Sequence, residues 1–369
     1  MSTHIPTNRG HELEWRSEST QKPPAQAVYS GETNAAAVLA AARDNTATVW
    51  TGDYHNAKQV LAAMKKRLRK PNSKADGDIQ TAFHSHRMRQ SQNSRLLNML
   101  AVEIGADFSL DLPRAPDVAA ALADVYGTPD GKPFLLPLNR LLGYIGAHEW
   151  HKKGVFVPAL DARIHVPFGV FSPLRGEYLD LIAQAPLPSE CRTAFDIGTG
   201  SGVIAALLAR RGISDITATD TNPRAIACAQ ANIERLGFSA DIRIEPADLF
   251  PQGKADLIVC NPPWLPAKPT SAIEAALYDP GHAMLKGFLN GVRGHLNENG
   301  EAWLIMSDLA EHLHLRSPDF LAECFQTAPL QVVDILSTRP THRKADDAAD
   351  PLAFARSRET TFLYRLKAA

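Results

Sequence analysis

The chain has 369 residues, of which 44% are hydrophobic and 21% charged, with a formal net charge of −1; that is long enough for two domains and ordinary for a soluble globular protein. So balanced a charge excludes whole-molecule attraction to nucleic acid or membrane, and any such partner must be met by a local patch. Cys191, Cys228, Cys260 and Cys324 form no CxxC pair, which points to reduced, mostly buried thiols and a cytoplasmic protein.

Residues 1–30 mix Ser, Thr, Pro and charge without periodicity, the composition of a disordered tail. His11, Glu12, Glu14, Arg16 and Glu18 stand where a signal peptide needs an apolar run, and no apolar stretch nears the ~20 residues of a spanning helix, so no membrane is expected. Residues 31–153 read as a helical substrate-recognition domain. "TNAAAVLAAARDN" is Ala-rich behind a Thr33 or Asn34 cap, and "NAKQVLAAMKKRLRKP" places Val60, Leu61, Met64 and Leu68 on one face before Pro71 stops it. Further helices are expected at 93–104 and 116–126. In "GVFVPALDARIHVP" apolar residues alternate on both sides of a turn, so residues 154–170 form a β-hairpin connector.

The remainder, 171–369, alternates. "TAFDIG", "DITATD", "DIRIEPA", "ADLIVCN" and "EAWLIMS" are strand-like, with the helical runs "VIAALLARRG", "PRAIACAQANIERLG" and "GFLNGVRGHLNENG" among them. Strands separated by helices imply a parallel sheet covered on both faces. "LQVVDILSTRP" and "ETTFLYRLK" have no helical pattern between them and are expected to pair as an antiparallel hairpin. The expectation is an α/β fold: a doubly wound, mainly parallel, seven-stranded sheet with a C-terminal antiparallel hairpin, plus the helical N-terminal domain.

Two stretches of this sheet carry chemistry. "FDIGTGSGV" puts Asp196 at a strand end and Gly198, Gly200 and Gly202 in the turn before a helix. Glycines there permit positive φ and close backbone approach, and the helix N-terminus offers free N–H groups to an anion such as a carboxylate. A nicotinamide fingerprint counted from Gly198 needs glycine where Val203 stands, and Asp196 would repel a pyrophosphate; a ligand with a cationic amino-acid end accommodates Asp196 readily. Asp220, ending "ITATD", suits ribose hydroxyls, and Asp248, in "EPADLF", suits an adenine end.

The second stretch is "LIVCNPPWLP". Its apolar run suits a strand buried on both faces, and Pro262 and Pro263 stop the ladder, leaving a rigid polar tip at the carboxyl end where open α/β sheets bind ligands. The Asn261 side-chain oxygen and the Pro262 carbonyl form two fixed acceptors for a planar NH₂ group, with Trp264 stacking on that group and excluding water.

In this order "FDIGTGSGV", "ATDTNPRAIACAQANIERLG", "ADLF" and "DLIVCNPPW" resemble the small-methyltransferase superfamily of class I S-adenosylmethionine-dependent methyltransferases, especially HemK-like protein-(glutamine-N5) methyltransferases, over roughly residues 155–310. The resemblance implies S-adenosyl-L-methionine as cofactor, contacted by Gly198, Gly200 and Asp220, with Asp248 on the adenine side. Asn261, bordering the cofactor, and Pro262 would hold the acceptor amide. It implies a glutamine side chain of a translation-related protein as substrate. Trp264 replaces the usual Tyr, and "VFSPLRGEYLDL" replaces an Arg-Pro-Glu-Thr-Glu run. Related tetrapeptides serve enzymes acting on exocyclic amines of rRNA, tRNA or DNA, which is the first alternative; a catalytically idle module keeping the fold is the second.

Lys58, Lys65, Lys66, Arg67, Arg69, Lys70, Lys74, Arg87, Arg89 and Arg95 face only Asp76 and Asp78 within 58–95, a local excess suited to RNA phosphates or to solvent alone. "HEWHKKG" spaces His148 and His151 three apart, unlike the HExxH zinc motif, so no metal is expected.

Overall fold

The structure, a computed structural model, describes residues 3–69, 78–173, 176–269, 274, 276–340 and 352–369; Lys70, Lys74, Asp76 and residues 341–351 lie outside them. The chain divides into two compact units, Met1–Glu149 and Trp150–Ala369.

The amino-terminal unit corrects two expectations. Residues 1–30 hold three strands, β1 (Thr3–Pro6), β2 (Glu12–Trp15) and β3 (Gln26–Ser30), and the following residues are mixed α/β. After β3 come α1 (Ala35–Arg43), β4 (Thr46–Trp50), α2 (Tyr54–Leu68), α3 (Ile79–Asn98), β5 (Leu100–Ile104), α4 (Ala119–Tyr126), β6 (Phe134–Pro137) and α5 (Leu138–Lys153). The six strands form one sheet in the order β1-β2-β6-β5-β4-β3, with β3, β4 and β5 mutually parallel. The reason for the misreading is local. The early strands each bury a single small stripe, through Ile5, Leu13 and Ala27, so polar residues dominate their composition. "TATVW", "LAVEI" and "FLLP" are apolar runs too short for period to separate strand from helix, and they sit between good helix formers. Those helices do form: Asn34 caps α1 by accepting from the N–H groups of Ala36 and Ala37, and α1 buries Ala35, Val38, Leu39 and Ala42 at helical spacing.

The carboxy-terminal unit opens with β7 (Val155–Val157) and β8 (Ala162–Ile164), an antiparallel pair joined through a turn that ends on Asp161 in the left-handed region. Then follow α6 (Glu177–Gln184), β9 (Thr193–Ile197), α7 (Val203–Arg210), β10 (Asp215–Asp220), α8 (Pro223–Leu236), β11 (Ile242–Pro246), β12 (Ala255–Cys260), α9 (Ala283–His295), β13 (Leu296–Ser307), α10 (Phe320–Thr327), β14 (Leu330–Thr338) and β15 (Thr361–Ala368), with short helices at Leu309–His312 and Ala353–Arg356. The seven-stranded sheet has the order β11-β10-β9-β12-β13-β15-β14, parallel except that β15 runs antiparallel to both β13 and β14.

Strand period assigns the faces. Ala194, Leu257, Val259, Trp303 and Ile305 pack with α6, α7 and α8, while Phe195, Ile197, Ile258, Cys260, Leu304 and Met306 pack with α9 and α10. Because both faces are covered, residues 257–260 of β12 read as an unbroken apolar run. Helix α8 shows the local code: Asn222 accepts from the Arg224 N–H, Pro223 is pre-set for the first turn, Gly237 ends the helix at φ 78°, and Ala225, Cys228, Ala229, Asn232 and Ile233 form the buried stripe. The chain winds outward from β9 through β10 to β11 and then restarts at β12 on β9's other side. The loops after β9 and β12 therefore flank the point where strand order reverses, the ligand crevice of open α/β sheets.

Candidate functional site

After β9 the backbone turns through Gly198, Gly200 and Gly202 at φ 71°, 57° and 79°, values that penalise a side chain. The positive φ is common to all three, but their surroundings differ. A Cβ on Gly198 would lie 2.6 Å from Met284 Cε, and one on Gly202 would lie 3.2 Å from the backbone of Ala229 in α8, whereas one on Gly200 would meet nothing within 4 Å. Gly200 thus faces open space at the crevice, and its neighbours secure the packing beneath. The Gly200 N–H donates to Asp220 Oδ2 at 3.0 Å, the Asn222 N–H donates to Asp220 Oδ1 at 2.8 Å, and the Thr199 N–H donates to the Thr219 carbonyl at 2.8 Å. Asp220 ties loop to strand and remains half-buried, each carboxylate oxygen keeping a further lone pair.

Asp196 lies in β9 with no exposed surface. Its Oδ2 accepts from Thr199 Oγ1 at 2.6 Å and from the Ala205 N–H at 3.0 Å, while its Oδ1 has no hydrogen-bond partner. Burial pushes its carboxyl up to about 7, aided by the nearby Asp220 charge and opposed by the bonds from Thr199 and Ala205. A buried, half-satisfied carboxylate is costly.

Beyond β12 the tip runs Asn261, Pro262, Pro263, Trp264. The Trp264 indole N–H donates to Asn261 Oδ1 at 2.9 Å, and its ring packs against both cores. Sequence gave this ring a stacking role; the structure adds the hydrogen bond, which fixes the amide oxygen on the indole side. The segment then returns to the glycine turn. The Asp279 N–H donates to the Leu265 carbonyl at 2.8 Å, and the Asp279 carboxylate caps α9 by accepting from the Met284 and Leu285 N–H groups at 3.0 and 3.1 Å. Met284 in turn abuts Gly198. His282 precedes α9 in the left-handed region at φ 58°, and burial together with Arg316 and Lys286 pushes its imidazole down to about 4, against the pull of Asp279. It is neutral near pH 7.

Sequence reasoning missed Tyr178. This residue of α6 is buried, and burial together with Asp196 pushes its phenol up while the Asn261 side chain opposes the rise. Tyr178 therefore stands near both motifs. Its place in an apolar helical stripe carries the signature of a core residue, so nothing in "RGEYLDL" marks it. Of the sequence-derived candidates, the structure brings Asp196, Gly198, Gly200, Gly202 and Asp220 into one cradle and Asn261, Pro262 and Trp264 into one tip. Asp248 is exposed two residues beyond β11, and no hydrogen bond ties it to either group among the described residues. On the other unit, Lys58, Lys65, Lys66, Arg67 and Arg69 of the α2 segment and Arg89 and Arg95 of α3 are exposed. His148 Nδ1 lies 2.7 Å from Asp124 Oδ2.

Residues 163–333 match the family model described as the methyltransferase small domain. The chain is 29% identical over 133 residues to the tRNA1(Val) (adenine(37)-N6)-methyltransferase of Cytophaga hutchinsonii, covering 34% of this chain and 56% of that protein. It is 33% identical over 138 residues to the release factor glutamine methyltransferase of Cereibacter sphaeroides, covering 33% and 49%. With the ribosomal protein uL3 glutamine methyltransferase of Bordetella pertussis it shares 27% over 220 residues, covering 55% and 70%. The chain thus spans about half the length of the first two of these relatives.

Proposed function

We propose that the protein, whose residues 163–333 match the methyltransferase small domain family model, is an S-adenosylmethionine-dependent N-methyltransferase. Its acceptor is a planar amide nitrogen, the glutamine side chain of a translation-related protein, and it works in the cytoplasm. One observation carries this reading: Asn261, its oxygen fixed by Trp264 at 2.9 Å, stands at the strand-order reversal beside the glycine turn.

The cradle suits a ligand with an ammonium group at one end and hydroxyls at the other. Asp196 has an unpaired oxygen, Gly200 faces open space and Asp220 ends a strand with acceptor capacity left. Asp196, Gly198, Gly200, Gly202 and Asp220 would hold the cofactor, with Asp248 on its adenine side and Asn261 bordering its methyl end. Bound S-adenosylmethionine supplies an electrophilic methyl group. The chain's own task is alignment. The second lone pair of Asn261 Oδ1 and the Pro262 carbonyl accept the two N–H bonds of the acceptor, which points the nitrogen into the cradle. The Trp264 ring and the buried Pro262 keep water out, and with good alignment in a dry pocket no strong general base is needed.

Glutamine is favoured because two relatives act on glutamine, as their names state. An exocyclic nucleobase amine is the second reading, supported by the tRNA-modifying relative and by the exposed cations at Lys58, Lys65, Lys66, Arg67 and Arg69, a face suited to phosphates. Calorimetry with S-adenosylhomocysteine should show binding, and no binding rejects the enzyme reading. Labelled methyl transfer into lysate of a deletion strain should give a product lost to protease and kept after RNase. Loss to RNase alone rejects the glutamine acceptor.

A further inference from the structure

An asparagine amide has an acceptor at one end and two donors at the other, and nothing in its own shape decides which end faces a substrate. The distinction matters for a planar NH₂ acceptor, which can only donate. A flipped Asn261 would oppose donor to donor. The indole N–H is a donor with no acceptor capacity, so the 2.9 Å contact from Trp264 Nε1 selects Oδ1. A tyrosine at position 264 could either donate or accept through its hydroxyl and would not force this choice. Resting on the methyltransferase reading, we propose that Trp264 is a positioning residue that locks the orientation of the Asn261 amide, so that its oxygen is presented to the acceptor nitrogen.

The lock uses one lone pair of Oδ1 and leaves the other for the acceptor, so positioning and binding do not compete. Trp264 is carried on the same rigid tip as Asn261, three residues on, so the amide is held from its own loop.

Two measurements test this on the full chain. In ¹⁵N NMR the indole resonance that disappears in Trp264→Phe belongs to Trp264. Its proton should exchange slowly with solvent in the wild type and about 10-fold or more faster in Asn261→Ala; an unchanged rate overturns the lock whether or not any substrate is known. In turnover, Trp264→Phe should lower kcat about 10-fold, the scale of one lost hydrogen bond, with S-adenosylhomocysteine affinity unchanged. Combined with Asn261→Asp, whose ionised carboxylate accepts at both ends, Trp264→Phe should cost nothing further. A simple stacking role predicts the same loss in both backgrounds and would overturn the proposal. Failure of the wild type to bind S-adenosylhomocysteine would instead reject the methyltransferase reading and leave the exchange measurement to decide the lock.

Discussion

Asp53 follows β4 of the amino-terminal sheet and Asp220 ends β10 of the carboxy-terminal one; both are carboxylates where a parallel strand runs on into a helix. Asp53 is fully employed by its own fold. It caps α2 by accepting from the His55 and Asn56 N–H groups, and Arg114 donates to both its oxygens at 2.5 and 2.6 Å, a pairing that holds its carboxyl down to about 2. Asp220 accepts only backbone N–H groups, from Gly200 and Asn222. Nearby stands Asp196, buried with one oxygen unpaired. The two strand ends thus differ in what they leave over: Asp53 is satisfied within its own unit, and Asp220 keeps acceptor capacity beside the open space at Gly200. Leftover polar capacity at a strand end, more than the sheet itself, is what marks a binding crevice.

The largest expected effect breaks the tip. Asn261→Ala should leave folding and S-adenosylhomocysteine affinity nearly unchanged and lower kcat/KM by at least about 10²-fold, through a lost bond to a buried donor of ~1–3 kcal/mol and misalignment of the nitrogen; steady-state kinetics with calorimetry on the same sample checks this. Near-wild-type turnover would remove Asn261 from the chemistry. Next comes the direct contrast of the two carboxylates. Asp220→Ala should weaken S-adenosylhomocysteine by about 10–100-fold, the range of a charge-assisted bond of ~1.5–3 kcal/mol. Asp53→Ala should lower the melting temperature and leave that affinity alone. If Asp53→Ala weakens the ligand as much as Asp220→Ala does, the division between a satisfied and an unsatisfied strand end fails.

The smallest effect is a pH dependence in the unliganded protein. The carboxyl of Asp196 is raised to about 7 in the fold, above its usual value near 4 in an unfolded chain. Between those values the folded state holds a proton that the unfolded state has released, so this group's contribution to stability falls as pH rises from about 4 to about 7. Asp196→Asn should flatten that part of the profile in denaturant titrations. A mutant profile parallel to wild type across the window would show that Asp196 is already ionised in the fold. The carboxyl of Asp53 acts in the opposite sense. Its folded value near 2 is depressed, so its contribution is present above about 4 and is lost as pH falls toward about 2.

Some of this was legible in the sequence because it is written in local rules. Strand, glycine turn and helix around 193–210 follow from an apolar run, residues that tolerate positive φ, and an alanine-rich stripe. The proline stop after β12 follows from missing N–H groups, and the closing antiparallel pair from the lack of a long helical pattern between its strands, where the described residues hold only the four-residue helix Ala353–Arg356. The amino-terminal sheet was hidden by the same rules. Ile5, Leu13 and Ala27 are single buried residues in strands of four or five, and what makes them strands is pairing with partners far along the chain.

The sequence by itself thus determined the order of elements in the carboxy-terminal unit and the residue types at each strand end, since period, turn chemistry and capping act over a few neighbours. Only the tertiary structure decided that Asp196 keeps an unpaired oxygen, that Met284 and Ala229 crowd Gly198 and Gly202, and that Trp264 holds the amide of Asn261. Each of those facts depends on which side chain fills the space beside a group, and that is fixed by packing, where sequence separation carries no information.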